Sequence, residues 1–252
     1  MIHEVKQFDS PGAVFIRCRS DEPVLATPFV IKGAIIKSFP NEKFISFING
    51  DMRGTLAYPR IQVKILRGQL CFFAVNEGMF PTIALARQLE TLKINGKEII
   101  FTSSDEDNFP DPFCTTPGKY HKYKFITPWV ALNEVQIYRY EPMFTDERRN
   151  FLNAILEKNL EFILKDLGAE SIEPIQVRFR ASSLTPKIVP YSKLCSFKGY
   201  FTTNIDLPNY LGLGNNITKG LGTVIKWKYR PRSNHLGNID NESNSGDQDH
   251  FE

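Results

Sequence analysis

One long amphipathic helix limits the fold of this chain more than any other feature of its sequence. Between residues 146 and 167, apolar side chains recur at the spacing of one helical face: Phe151, Leu152, Ile155, Leu156, Leu160, Ile163, Leu164 and Leu167. Thr145 precedes this stretch as a candidate N-cap, and Gly168 follows it as a candidate C-terminal stop. The pattern predicts a helix that buries one face.

Most of the remaining chain has the composition of β-strands. Strands are predicted over 13–19, 61–66, 70–75, 98–102, 123–127, 175–180, 197–203 and 223–229. A shorter helix is predicted over 81–92, and Arg67 with Gly68 predicts a hairpin turn between the second and third strands. This order predicts an α+β fold of two ferredoxin-like (RRM-like) domains in tandem, each with a mostly antiparallel sheet and one principal helix.

Composition divides the chain into two domains and a tail. A chain of 252 residues can form one large domain or two of about 100 to 150 residues. The stretch 103–119 is rich in Asp, Pro and Ser and is predicted to hold the boundary. The prediction is an N-terminal domain over 1–115 and a C-terminal domain over 116–232. The tail over 233–252 is polar and acidic, and is predicted to be disordered.

Positive charge is concentrated in the C-terminal domain. The formal net charge of +3 becomes +8 when the five acidic residues of 233–252 are set aside. Residues 174–232 contain ten Lys and Arg residues, against Asp206 as the single acid. This imbalance predicts a polyanionic partner.

Membrane, secretory, zinc and disulfide classes are all disfavoured by the sequence. No apolar run reaches the ~18 to 20 residues needed to span a bilayer, and the N-terminus lacks the pattern of a signal peptide. The four cysteines are far apart and form no CxxC pair: Cys18, Cys71, Cys114 and Cys195. A soluble cytoplasmic protein with ordinary thiols and no metal site is expected.

A glycine-rich stretch, GLGNNITKGLG, lies just before the last predicted strand. A nucleotide P-loop would read GxxxxGK[ST] and open a helix, and a dinucleotide fingerprint must also enter a helix. Here the stretch leads into TVIKWKY, which has the pattern of a strand, so both nucleotide interpretations fail. Two alternatives stay open: a mobile hairpin connection, or a turn whose backbone N–H groups and Lys219 bind phosphates.

The glycine-rich stretch belongs to a series of motifs. The chain reads KGAIIKSFP, then AYPRIQVKI followed by Glu77-Gly78, then YKFITPWVALNEVQIYRYE, the long helix, and finally FTTNIDLPNYLGLGNNITKGLGTV. In this order, over 13–229, the motifs resemble those of the CRISPR-associated repeat-RNA (pre-crRNA) endoribonucleases of the RAMP superfamily. The last segment is similar to their C-terminal signature of a proline and two glycine turns between strands.

The resemblance implies an endoribonuclease that needs neither metal nor cofactor. Such proteins cut the repeats of a CRISPR transcript with the ribose 2′-OH as nucleophile, leaving a 2′,3′-cyclic phosphate and a 5′-OH. One group must accept the 2′-OH proton and another must protonate the leaving oxygen. The implied partners are CRISPR repeat RNA or crRNA and subunits of a CRISPR effector complex. The protein itself is expected to be a monomer or homodimer.

The usual pair of active-site histidines is missing at the expected positions. Similar proteins place an HxH-like pair before a YP dipeptide, whereas Ser46 and Ile48 stand near those places here. No histidine occurs between His3 and His121. Either this chain binds the repeat without cutting it, or other residues perform the reaction. The residues predicted to be catalytic are Lys37, Ser46, Asn49 and Tyr58, with Lys43 as a further local alternative.

The predicted RNA contacts lie mainly in the basic C-terminal domain. They are Arg53, Lys198, Gly212, Gly214, Asn215, Asn216, Lys219, Gly220, Gly222, Lys226 and Lys228. Tyr191, Tyr200 and Tyr210 either stack on unpaired bases or belong to the core.

His121 is a second candidate for proton transfer. On a strand, His121 and Tyr123 would share one face, and Lys122 and Lys124 the other. The alternative is an exposed histidine at the end of a strand.

Overall fold

The computed structural model describes residues 12–115, 117–169, 173–190 and 192–227, and leaves out the side chain of Arg53. The first half contains β1 (Ala13–Ser20), α1 (Pro28–Ser38), α2 (Lys43–Ile48), β2 (Ile61–Leu66), β3 (Gln69–Val75), α3 (Met79–Gln88), β4 (Thr91–Ile94) and β5 (Lys97–Phe109). The second half contains β6 (His121–Phe125), β7 (Trp129–Leu132), α4 (Glu134–Tyr140), α5 (Thr145–Leu167), β8 (Val177–Ala181), β9 (Lys187–Ile188), β10 (Cys195–Phe197), β11 (Gly199–Thr203) and β12 (Val224–Lys226). The predicted disordered tail, Lys228 and Tyr191 lie outside the described residues.

The two main sheets have the ferredoxin-like strand order. The first sheet runs β2-β3-β1-β5-β4 and the second runs β12-β6-β11-β8, while β7-β10-β9 forms a small third sheet. In each main sheet the first strand lies between the third strand and the last, and all neighbours are antiparallel. The predicted α+β fold of two ferredoxin-like domains is confirmed. In the second half, residues 204–223 stand in the chain where this arrangement has its second helix.

Helix α5 confirms the predicted long amphipathic helix. Its buried face consists of Leu152, Ile155, Leu156, Leu160, Ile163, Leu164 and Leu167. Gly168 ends the helix in the left-handed conformation, with φ of 69°, as its position predicts. Thr145 is the first helical residue rather than the N-cap. Phe144 occupies the cap, and its backbone N–H donates to the Glu147 carboxylate at 2.8 Å.

Several boundaries differ from the prediction. The predicted helix over 81–92 ends at Gln88, and its last residues belong to β4. The predicted strand over 197–203 is two strands, β10 and β11, interrupted at Lys198. Strand β5 continues to Phe109, so part of the predicted boundary stretch is strand, and the division at residue 115 stays a prediction. Six elements escaped prediction: α1, α2, α4, β4, β7 and β9.

Strands β1 and β3 of the first sheet are largely buried on both faces. One face of β1 and β3, including Val14, Ile16 and Phe72, packs under the helices of the first half. The opposite face, including Phe15 and Phe73, joins the core of the second half. The two halves therefore meet across a sheet face that solvent does not reach. Among the described residues, no helix is long and apolar enough to cross a membrane.

Candidate functional site

A row of polar side chains on and beside β2 lies at the contact between the two halves. Arg60, Gln62 and Lys64 alternate along the strand, and all three are buried. Buried polar groups need partners. The contact between the two halves must therefore supply hydrogen bonds to these three side chains.

Arg60 pairs with Glu77 and Asp166. Lys64, and Gln62 through Tyr58, instead contact the glycine-rich loop, residues 212–223. The Tyr58 hydroxyl donates to the Gly212 carbonyl at 2.9 Å and accepts from Nε2 of Gln62 at 2.6 Å. Lys64 Nζ donates to Thr223 Oγ1 at 3.0 Å. The first half thus holds both ends of the glycine-rich loop.

The interior of the glycine-rich loop is tied to the second half. Asn215 N–H donates to the carbonyl of Val130, and Gly222 N–H donates to that of Pro128, each at 2.9 Å. A short 3-10 turn, Ile217–Lys219, forms the tip. The loop is hydrogen-bonded to both halves, which favours a packed structural element over a mobile connection.

The loop glycines serve close packing. A Cβ on Gly212 would overlap Ile217 and the Gln62 amide, and one on Gly214 would overlap the Trp129 indole. Gly212, Gly220 and Gly222 are buried, so the predicted phosphate contacts of these three residues do not fit their positions. Asn215 and Lys219 are the exposed residues of the loop, and Gly214 and Asn216 are half-buried.

A cleft lies between α1, the segment after it and the loop tip. Lys32, Thr218 and the stretch 56–61 line it, together with Phe47, Ile48, Gly50 and Met52. Lys32 is a cation that sequence reasoning missed. Thr27 and Pro28 form a typical helix start, and Lys32 follows Pro28 by one turn. This sequence pattern could have indicated that Lys32 lies on a helix.

Three of the predicted catalytic residues lie on or beside the helices of the first half: Lys37 in α1, Ser46 in α2 and Asn49 directly after α2. The Ser46 hydroxyl donates to the Lys43 carbonyl at 3.0 Å. Asn49 forms a local turn in which its side chain bonds Asp51 at 2.7 and 3.0 Å. Lys37 is exposed at the far end of α1, about 14 Å from Pro28 by the rise of a helix. Because Pro28 is the part of α1 beside Gly220, the structure does not bring Lys37 close to the loop.

Tyr58 has a different position from the other predicted catalytic residues. Its side chain is fully buried, and burial raises the pKa of its hydroxyl above the usual range. A buried hydroxyl that already donates to a backbone carbonyl has no proton to offer a bound RNA. Tyr58 positions the loop, which corrects the expectation that it acts directly in catalysis.

The remaining candidates are spread over the second half. Lys198 is exposed between β10 and β11. Lys226 is paired, with Nζ 2.8 Å from the Asp206 carboxylate. His121 is buried, contrary to the expectation of an exposed strand end; its Nδ1 lies 3.8 Å from Asp206, and burial lowers its pKa. Tyr210 stacks on Phe15 at 3.7 Å in the contact between the halves. No cluster of three potential metal ligands occurs within the described ranges.

Lys64 predicts a pH dependence of stability. Burial lowers the pKa of its ammonium to about 7, whereas an unfolded lysine titrates near 10.4. Between about pH 7 and about pH 10.4 the unfolded chain binds more protons at this site, so stability rises with pH over this range. We expect the difference in unfolding free energy between wild type and Lys64→Met to change by up to about 1.4 kcal/mol per pH unit over this range, in favour of wild type.

Urea unfolding at a series of pH values tests this expectation. Lys124→Met is the matched control, because Lys124 is exposed. Its profile should run parallel to that of wild type. Parallel profiles for Lys64→Met would show that Lys64 titrates normally in the folded protein.

Comparison with known proteins relates the second half to a described family. Residues 115–227 match the Cas6b C-terminal domain. An uncharacterized protein of Methanocaldococcus jannaschii, MJ0978, is 36% identical over 109 residues, which cover 42% of this chain and 71% of that protein.

Solved structures extend the similarity to most of the chain. A crystal structure of Cas6b matches with a TM-score of 0.70 and 25% identity, over 86% of this chain and 100% of that one. A CRISPR RNA processing endoribonuclease, Cas6b, matches with a TM-score of 0.61 and 24% identity over the same shares. A CRISPR associated protein Cas6, at 12% identity and a TM-score of 0.53, shares the fold, covering 87% of this chain and 100% of that one.

Proposed function

Because this chain belongs to the Cas6b family, we propose that it is an endoribonuclease that cuts CRISPR precursor RNA within its repeats to release crRNA. The observation that carries the proposal is the family match over 115–227. That range includes the whole glycine-rich loop and the strands on either side of it.

The proposed reaction is a transesterification within the RNA. The 2′-oxygen attacks the adjacent phosphorus and loses its proton to a base. The bond from phosphorus to the 5′-oxygen breaks, and that oxygen takes up a proton. The products are a 2′,3′-cyclic phosphate and a 5′-OH, and no water or metal ion enters the balance.

We assign the chemistry to the cleft of the first half and to the neighbouring helices α1 and α2. Lys37, Ser46 and Asn49 are the proposed catalytic residues, and Lys32 is a further cation beside the scissile phosphate. Lysine and amide donors stabilise charge on the phosphorus oxygens, but none is a good base at its ordinary pKa. Catalysis would then depend mainly on positioning and charge, so we expect slow turnover.

We assign RNA binding to the exposed side of the loop. Lys219 and Asn215 face solvent there, with Asn216 and Gly214 beside them. Lys198 is a further phosphate contact of the second half. The buried glycines Gly212, Gly220 and Gly222 contribute by fixing the path of the backbone.

A second function is favoured by one observation: the chain has no histidine from residue 4 to residue 120. In this alternative the protein binds the repeat without cutting it, as a subunit of a CRISPR effector complex. Histidine is the side chain whose pKa best suits both proton transfers near neutral pH.

Cleavage of end-labelled cognate repeat RNA in EDTA separates the two functions. We expect one discrete product that carries a cyclic phosphate, and at least a tenfold lower rate for Lys37→Ala or Ser46→Ala with unchanged RNA affinity. Lys93→Ala is the matched control, since Lys93 is an exposed lysine of β4. A gel shift with intact RNA would support binding alone, and equal losses of rate and affinity would reassign both residues to binding.

A further inference from the structure

One face of the second main sheet is not covered by any described element. The inward residues Tyr123, Phe179 and Phe201 join the core beside α5. Their neighbours on the strands point the other way, and Lys124, Arg178 and Arg180 among them are exposed. We call this outward side of β12-β6-β11-β8 the open sheet face.

Strand register places its side chains in two rows. Lys124, Tyr200 and Arg180 lie side by side across β6, β11 and β8. The next row contains Lys122 and Arg178, on either side of Thr202.

Two aromatic rings form a platform on the open sheet face. The rings of Tyr200 and Trp227 pack edge to face with centroids 5.0 Å apart. Lys122 Nζ lies 4.3 Å from the first ring centroid and 4.0 Å from the second. Trp227 stays in register because its N–H donates to the Lys122 carbonyl at 2.7 Å. The platform therefore exists before any ligand arrives, with its own cation in place.

The charge of the open sheet face is not neutralised by its own residues. None of the positions in these rows is Asp or Glu. Two other cations of this half are compensated: Lys226 pairs with Asp206 and Lys193 with Glu134, each at 2.8 Å. The open sheet face instead has cations on β6 and on β8, about 10 Å apart across the intervening strand.

We propose that the open sheet face binds a single-stranded segment of the RNA, a second subsite that rests on the proposed function. Unpaired bases stack on Tyr200 and Trp227, and phosphates contact Lys122, Lys124, Arg178 and Arg180. Base stacking on sheet aromatics between cations suits single strands, because bases within a duplex do not expose their faces. The occupant is thus the unpaired part of the transcript, and the loop contacts a different part.

Intrinsic fluorescence gives a direct test. The chain has two tryptophans, and Trp129 is fully buried, so quenching by added RNA reports Trp227. We expect an unstructured oligouridine to quench the wild type and not Trp227→Phe. Arg178→Ala/Arg180→Ala should weaken oligouridine binding about tenfold and reduce its salt slope by about 1.4.

A matched control removes the same charge elsewhere. Arg87→Ala/Lys93→Ala deletes two exposed cations of the first half, and it should leave oligouridine affinity within about twofold of wild type. The proposal would be overturned if oligouridine did not quench the wild type and if the Arg178→Ala/Arg180→Ala variant bound oligouridine as tightly as the wild type does. If the same variant lost as much affinity for a blunt-ended hairpin RNA as for oligouridine, the open sheet face would have no preference for single strands.

Cleavage of repeat RNA by the same preparations keeps the two proposals apart. Cleavage without oligouridine binding would refute the open sheet face as a subsite and leave the proposed function intact. Oligouridine binding without cleavage would support the subsite and refute the endoribonuclease.

Discussion

Replacing Arg60 by alanine is expected to lower the free energy of unfolding by about 3 kcal/mol. Its guanidinium is 4% exposed and lies 2.7 Å from the Glu77 carboxylate and 2.5 Å from that of Asp166. It also donates to the backbone carbonyls of Tyr58 and Asp166, at 3.1 and 3.0 Å. The alanine variant leaves two mostly buried carboxylates without their cation, which costs more than the pair contributes when intact.

The same contact joins the two halves. Asp166 lies near the end of α5 and accepts from the backbone N–H groups of Ala57 and Tyr58, at 3.2 and 3.1 Å. Arg60→Ala should therefore also loosen the stretch 56–61 that lines the cleft. We expect RNA cleavage to fall even under conditions in which the variant stays folded.

Equilibrium unfolding in urea measures the effect, and Arg19→Ala supplies the control. Arg19 pairs with Asp105 at 2.8 Å, but both side chains are exposed, at 59% and 43%. Exposed pairs contribute about 0 to 1 kcal/mol. Losses of similar size in the two variants would show that burial does not strengthen the role of Arg60.

Local patterns predicted the parts of the fold that depend on local interactions. The apolar stripe of α5 and the glycine after it fixed that helix almost to the residue. The hairpin at Arg67 and Gly68 followed from the turn, where both residues have positive φ. The alternation along β6 correctly placed Lys122 and Lys124 on the opposite face of the strand from His121.

Elements that depend on tertiary contacts escaped prediction. Helix α1 contains Val30, Ile31, Ile35 and Ile36, β-branched residues that favour strands in isolation. Burial of Ile31 and Ile35 against the first sheet, with a Thr27 cap, overrides that preference. The burial of Tyr58 was likewise invisible, since its partner Gly212 lies 154 residues away in the chain.

Gly222→Ala is expected to destabilise the protein by about 3 kcal/mol and to abolish tight RNA binding. Gly222 has φ of 69°, which costs an alanine about 1 to 2 kcal/mol. Its Cβ would also overlap the Leu213 backbone carbonyl, and overpacking adds about 1 to 3 kcal/mol. The residue cannot shift freely, because its N–H donates to Pro128 and its carbonyl accepts from Leu213, each at 2.9 Å.

Gly168→Ala isolates the steric part of this cost. Gly168 has the same φ of 69°, but nothing lies within 4 Å of the position that an added Cβ would take there. We expect a loss of about 1 kcal/mol and unchanged affinity for repeat RNA. Equal losses in the two variants would mean that the backbone at Leu213 yields and that the loop is not closely packed.

The comparison also distinguishes two explanations of the glycine-rich loop. If its glycines bound phosphates directly, Gly222→Ala would weaken RNA binding with little effect on folding. If they allow the backbone to pack between β2 and Trp129, stability and affinity fall together, while Lys219→Glu weakens affinity alone. The buried positions of Gly212, Gly220 and Gly222 favour the second outcome. Binding then depends on the exposed side chains of a loop that the glycines hold in place.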